Sequence, residues 1–162
     1  MRWPWCCETA YLSIGGTLIG RTQAKENRVN VVGHGIDLVD VAEMKRWIED
    51  PRDPLIPRCF VQAELDEIGN GTDRIERLAG RFAAKEAVLK ALGTGFGAGV
   101  AFTDVVIHRT PGSAPDVKLS GGAAKAAEAL GVIAWRLSIS HAGGMAMASV
   151  LALGPEAHAR GS

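Results

Sequence analysis

Two carboxylates stand in settings that ask for a cation. Asp37 closes the run GHGID; along a strand beginning at Val31, period-2 alternation puts Gly33, Gly35 and Asp37 on one face and Val32, His34, Ile36 and Leu38 on the other. A strip without side chains that ends in a carboxylate lets a bulky ligand approach the backbone, or it serves close packing while Asp37 caps a turn. Spacing alone leaves both readings open. Glu86, in RFAAKEAVLK, falls about 40° from Phe82 on a helix that turns 100° per residue, and so lies on the apolar stripe. Unpaired burial there would cost several kcal/mol or keep the carboxyl protonated, so a metal ion or an ionic neighbour is expected. Lys90, one turn on, could supply an i,i+4 salt bridge, whereas Lys85 leaves the helix on another face. His141 ends the run WRLSISH directly before two glycines, where a side chain either projects into a cleft or makes a structural hydrogen bond. His34 and His108 sit inside strand patterns and read as structural.

These groups need elements to hold them. VVGHGIDLV reads as a strand closed by Asp40, which can cap a helix through VAEMKRWIED before Pro51, Pro54 and Pro57 break the chain. A short helix is expected over VQAELDEIG. A longer one runs from Thr72 or Asp73 to Leu92, with Ile75, Leu78, Ala79, Phe82 and Leu89 at helical spacing and Gly93 as its stop. FTDVVIHR and VKLS read as strands about the loop PGSAPD, and GGAAKAAEALG as an Ala-rich helix. WRLSISH and MAMASVLAL read as strands of a tight hairpin through Ala142, Gly143 and Gly144. This mixed order with a terminal hairpin predicts an α+β domain over 31–154. Residues 1–30 lack periodicity and read as an extension outside the fold, and 155–162 as a tail.

A chain of 162 residues, 47% apolar, suits one core. With 18 basic and 18 acidic side chains no global field points to nucleic acid. Three cysteines, Cys6, Cys7 and Cys59, have neither disulfide-framework nor metal-ligand spacing, which fits a reducing cytoplasm. The first apolar patch is interrupted by Glu8, so neither a signal peptide nor a membrane span is expected.

In order and spacing, GHGIDLVDV, FVQAELDEI, RLAGRFAAKEAVLKALGTGFG and LSISH with its small-residue hairpin resemble the holo-acyl-carrier-protein synthase family of 4′-phosphopantetheinyl transferases, over about Val31 to Leu153. The longest block, GRFAAKEAVLKALGTG, is highly specific. The resemblance implies that family's fold, a small mixed sheet with a long helix packed against it. It implies Mg²⁺ held by Asp37 and Glu86, with Glu86 and Lys90 catalytic. Arg81, Lys85, Lys90 and His141 would contact coenzyme A, and attack by a serine of apo acyl carrier protein would release adenosine 3′,5′-bisphosphate, in support of fatty-acid biosynthesis. It further implies a homotrimer and a carrier-docking surface on the helix after Asp37, here Met44, Lys45, Arg46 and Arg52, with Trp47 and Arg58 beside them. Many members carry an arginine six residues after the metal aspartate; this chain has Glu43 there, which sets its docking surface apart.

Overall fold

The computed structural model describes residues 29–52, 54–95, 99–110 and 112–156. The expected extension over 1–28 and the tail beyond Glu156 lie outside the described residues. Strand β1 (Val29–Asp40) begins two residues before the expected boundary. It leads into α1 (Val41–Glu49), α2 (Leu55–Cys59), α3 (Gln62–Ile68) and the long α4 (Arg74–Leu92). A 3-10 turn (Phe102–Asp104), strands β2 (Val105–His108) and β3 (Asp116–Leu119), helix α5 (Gly121–Ala129) and the hairpin β4 (Ala134–Ala142) and β5 (Met145–Pro155) complete the fold.

The local signals explain most of these boundaries. Asp40 caps α1, its Oδ1 accepting from the N–H groups of Ala42 at 2.7 Å and Glu43 at 3.3 Å. Gly93 ends α4 in the left-handed region, φ 69°. Gly143 and Gly144, φ 58° and 78°, form the two-residue hairpin turn that requires positive φ at both positions. Two elements depart from expectation. Phe102–Asp104 coils instead of extending the strand, because the Asp104 carboxylate accepts from Ala101 N at 3.2 Å and from Gly122 N at 3.0 Å. α2 forms across the proline-rich stretch because Pro57 occupies its first turn, where a missing N–H costs nothing.

The α+β class holds, with the long helix packed on a small sheet; the strands form two antiparallel sheets, one of order β1-β5-β4 and one of β2-β3, so the pairing is antiparallel where a mixed sheet was expected. α4 lies across the inner face of the larger sheet. Its buried face is built from Ala79, Ala83, Ala84, Ala87 and Ala91, and it meets Ala146, Ala148, Val150 and Ala152 of β5. Small side chains on both surfaces let helix and sheet approach closely. A Cβ on Gly33 would lie 2.1 Å from the Ala91 carbonyl oxygen, and one on Gly35 1.9 Å from that of Ala87. The bare strip of β1 therefore admits α4, which corrects the reading in which it admits a ligand.

The smaller sheet is tied down by charge. Glu64 and Glu67, one turn apart on α3, accept from the backbone N–H groups of Ile107 (3.0 Å) and Arg109 (3.1 Å) along the free edge of β2. The same carboxylates pair with two cations one turn apart on α4: Glu64 with Lys85 and Glu67 with Arg81, both at 2.8 Å. Two acids thus close a sheet edge that would otherwise leave donors unpaired.

Candidate active site

Asp37 reaches the inner face of β1 just past the glycine strip, opposite the last turns of α4. Its Oδ1 accepts from Lys90 Nζ at 2.7 Å, and the same ammonium donates to the Ile36 carbonyl at 3.2 Å. Asp37 therefore caps no turn; Asp40 does. Lys90, expected as a partner of Glu86, pairs with Asp37 instead. Glu86 lies one turn before Lys90 and is half-buried. Burial first, and then the charge of Asp37, push its pKa above the usual carboxylate value, with Lys90 opposing. Two carboxylates and one ammonium thus share a small site with an excess of negative charge. That donor set fits a hard divalent cation that takes one or two carboxylates and completes its shell with water and substrate phosphates. Among the described residues no cluster of three or more acidic, His or Cys side chains forms a dedicated metal cage.

His141 is drawn to the opposite edge of the sheet. It aligns with Ala146 on β5 while Asp37 aligns with Ala148, and β5 lies between their strands, so the two backbones stand about 12 Å apart across the sheet. Its Nε2–H donates to the Glu76 carbonyl at 3.0 Å. Gly80 makes this possible, since a Cβ there would meet His141 Nε2 at 2.7 Å. His141 lines a cleft of about 520 Å³ beside the first half of α4, where Arg77, Arg81 and Arg109 stand among Glu67, Asp73 and Glu76. Such a cleft suits a flat heterocycle carrying phosphate.

The remaining expectations divide. Arg81 does line the cleft, but its Nη2–H donates to Glu67 at 2.8 Å and its Nε–H to the Ile107 carbonyl at 3.3 Å. Burial raises the pKa of Glu67, yet the Arg109 N–H, His108 and Arg81 outweigh it and hold the carboxyl below its usual range. Lys85, expected beside the coenzyme, is fully buried. Its ammonium is saturated by Glu64 and the carbonyls of Phe102 and Val105, and it lies over the Phe60 ring. Burial pushes its pKa down and Glu64 opposes that shift. Lys85 is thus a structural cation with no donor left for a nucleotide. Met44 is also misplaced by the expectation: it is 0% exposed in the core and cannot dock a carrier. Lys45 and Arg46 are exposed on α1 beside Trp47, 37% exposed, while Arg52 is held by Asp50 through Nε at 3.0 Å and Nη2 at 2.9 Å. Sequence reasoning missed Arg77, Gly80, Glu67 and Arg109. Arg77 could have been found, because it precedes Arg81 by one helical turn; Arg109 could not, because its place depends on a loop.

A sheet packed on one long helix thus carries a carboxylate pair at one place and, at another, a cleft where arginines and His141 stand among acids. The family model of the 4′-phosphopantetheinyl transferase superfamily matches residues 33–148. Holo-[acyl-carrier-protein] synthase of Desulforudis audaxviator is 43% identical over 125 residues, which cover 77% of this chain and 95% of that protein. The Helicobacter pylori holo-[acyl-carrier-protein] synthase in complex with coenzyme A superposes with a TM-score of 0.63 at 30% identity, covering 74% of this chain and 98% of that one. The Bacillus anthracis holo-(acyl-carrier-protein) synthase in complex with CoA (3',5'-ADP) gives 0.63 at 30% identity, covering 76% and 97%. The chain belongs to the 4′-phosphopantetheinyl transferase superfamily and, within it, to the holo-[acyl-carrier-protein] synthase family.

Proposed function

We propose that this enzyme transfers the 4′-phosphopantetheine arm of coenzyme A to a serine of apo acyl carrier protein, releasing adenosine 3′,5′-bisphosphate and supplying carriers for fatty-acid synthesis in the cytoplasm. The observation that carries this reading is that the fold holds two separate sites, the Asp37, Glu86 and Lys90 group and the cleft of Arg77, Arg81 and His141, which assembly can bring together across a subunit boundary. Coenzyme A is anionic at two separated places, its diphosphate and its 3′-phosphate. The carboxylate end suits the diphosphate together with Mg²⁺, and the cleft suits the adenosine with its phosphate. Asp37 and Glu86 would hold the Mg²⁺, which when bound supplies positive charge against the phosphate oxygens. Lys90 adds a cation where charge develops on the oxygen leaving with the bisphosphate. It now neutralises Asp37, and would exchange that partner for phosphate. Glu86, or a water oriented by it or by Asp37, is placed to take the proton lost by the serine hydroxyl.

A homotrimer with sites at subunit boundaries belongs to this proposal. The outer face of the larger sheet carries Ile36, Leu38 and Met147, which are 51%, 57% and 42% exposed. An apolar sheet face of this kind needs a cover, and neighbouring subunits supply one. His141 and the cleft of one subunit would then serve the carboxylates of another. The carrier, an acidic protein, would meet Lys45, Arg46 and Trp47 on α1. The decisive experiment incubates the protein with coenzyme A, Mg²⁺ and apo carrier and weighs the carrier. A gain of one phosphopantetheine, lost on chelation of the metal, is expected; an unchanged carrier mass with coenzyme A still bound would leave a binding protein.

A further inference from the structure

Midway along β1 a titratable side chain interrupts the apolar outer face of the larger sheet. By strand alternation His34 shares that face with Ile36 and Leu38, and like them it is exposed in the single subunit. Its register partner on β5 is Leu151, and beyond Leu151 on β4 stands Arg136, so the three form one row across the sheet. Beside this row His34 Nε2 lies 3.5 Å from the Ser149 hydroxyl. A hydroxyl can donate to a neutral imidazole or accept from a charged one, so this contact serves either protonation state. The charged groups on the same face are few. On β1 there is Asp40, whose carboxylate is engaged in capping α1. On β5 the face carries Met147, Ser149, Leu151 and Leu153, none of them titratable. On β4 it carries Arg136, a second cation, whose Nη1–H donates to the Trp135 carbonyl at 3.1 Å. α4 packs on the opposite face. Among the described residues, therefore, no uncommitted carboxylate of this face stands ready to offset a charged imidazole.

We propose that His34 makes assembly of this enzyme sensitive to protons: subunits associate on this face while the imidazole is neutral and separate as it becomes charged. The inference rests on the trimer proposed above and concerns its regulation. A neutral imidazole covered by a neighbouring subunit keeps its hydrogen bond to Ser149 and costs little. An imidazolium in the same place loses its water and gains no anion, with the Arg136 cation already in its row. In a symmetric assembly that cost recurs once per subunit. Sites that need two subunits would then be lost together as the assembly comes apart.

The test measures the mass of the full chain by sedimentation over a range of concentrations, between about pH 8 and pH 5.5, where histidines titrate. Circular dichroism at each pH confirms that the separated chains remain folded. For wild type the concentration at which half the chains are assembled should rise at least about tenfold across that range, because each subunit must shed a proton to join. In His34→Gln and His34→Ile, which cannot take up the proton, it should change by less than about twofold. His34→Lys, charged throughout, should assemble poorly even at the upper pH. An equal rise in wild type and both neutral variants, or no rise in wild type, would overturn the inference and leave the trimer standing. So would neutral variants that stay single where wild type assembles, since His34 would then act by shape. A wild-type chain that is single at every pH would overturn the trimer as well, while the transfer assay still decides the activity.

Discussion

Glu86 shows how a half-buried carboxyl, here proposed as a catalytic group, is held at the expense of stability. Its pKa is raised, so in the folded chain ionisation is disfavoured relative to the unfolded chain. The sign follows: whatever stability the protonated group contributes is present below the ordinary carboxylate pKa and is lost as pH rises through the raised value. Glu86→Gln removes that loss. In the absence of metal and coenzyme at neutral pH it should melt a few degrees above wild type, with the gap closing toward pH 4, while lowering transfer at least roughly a hundredfold. Asp37→Asn should cost activity by a similar factor. A melt of Glu86→Gln at or below wild type would contradict the argument. Lys85, next along the helix, behaves oppositely. Removing it leaves Glu64, 1% exposed, as an uncompensated buried charge, a loss of about 3–5 kcal/mol. Lys85→Ala should therefore lower the melting temperature by about 10 °C or more. The specific activity of its folded fraction should fall less than that of Lys90→Ala, as assays matched for folded protein would show.

At the scale of elements, the site exists because β1 and α4 approach with almost nothing between them. Alanines at three- and four-residue spacing on α4 and glycines at alternate positions on β1 are ordinary residues separately. Together they set the separation at which Lys90 spans to Asp37. Gly35→Ala tests this. Its Cβ would lie 1.9 Å from a backbone oxygen of a helix that cannot shift without moving Glu86 and Lys90. A loss of at least about 3 kcal/mol is expected by chemical denaturation, beyond the usual overpacking range of 1–3 kcal/mol because the obstruction is backbone. The helices other than α2, and most strands, were legible in the chain, since Asp40, Gly93 and Gly143–Gly144 act through bonds within a few residues. The 3-10 turn was missed because the Asp104 carboxylate that bends it also reaches Gly122, eighteen positions away.

For the whole molecule, the proposed trimer is tested at the exposed outer face of the β1-β5-β4 sheet. Leu38→Asp should reduce the mass seen by sedimentation from three chains to one and abolish transfer, because a charge buried between subunits has no partner there. Co-refolding inactive Glu86→Gln chains with inactive His141→Ala chains should restore part of the activity, since some boundaries then carry both wild-type residues; none restored, with mixing verified by mass, would put both in one subunit. The chain by itself determined the order of the main elements, the Asp40 cap and the glycine stops, the family, and the identity of Asp37 and Glu86 as an acidic pair, because periodicity and capping are local and the family motif is contiguous. It also determined that the glycine strip faces the same way as Asp37, but could not say what fills it. Only the tertiary structure decided that α4 does, that Lys90 chooses Asp37 over Glu86, that Lys85 and Met44 are interior, and that Arg109 enters a cleft with His141. Each of these depends on which distant surface comes into van der Waals contact, and a lysine four residues from one acid reads the same in sequence whether or not a strand brings another acid nearer.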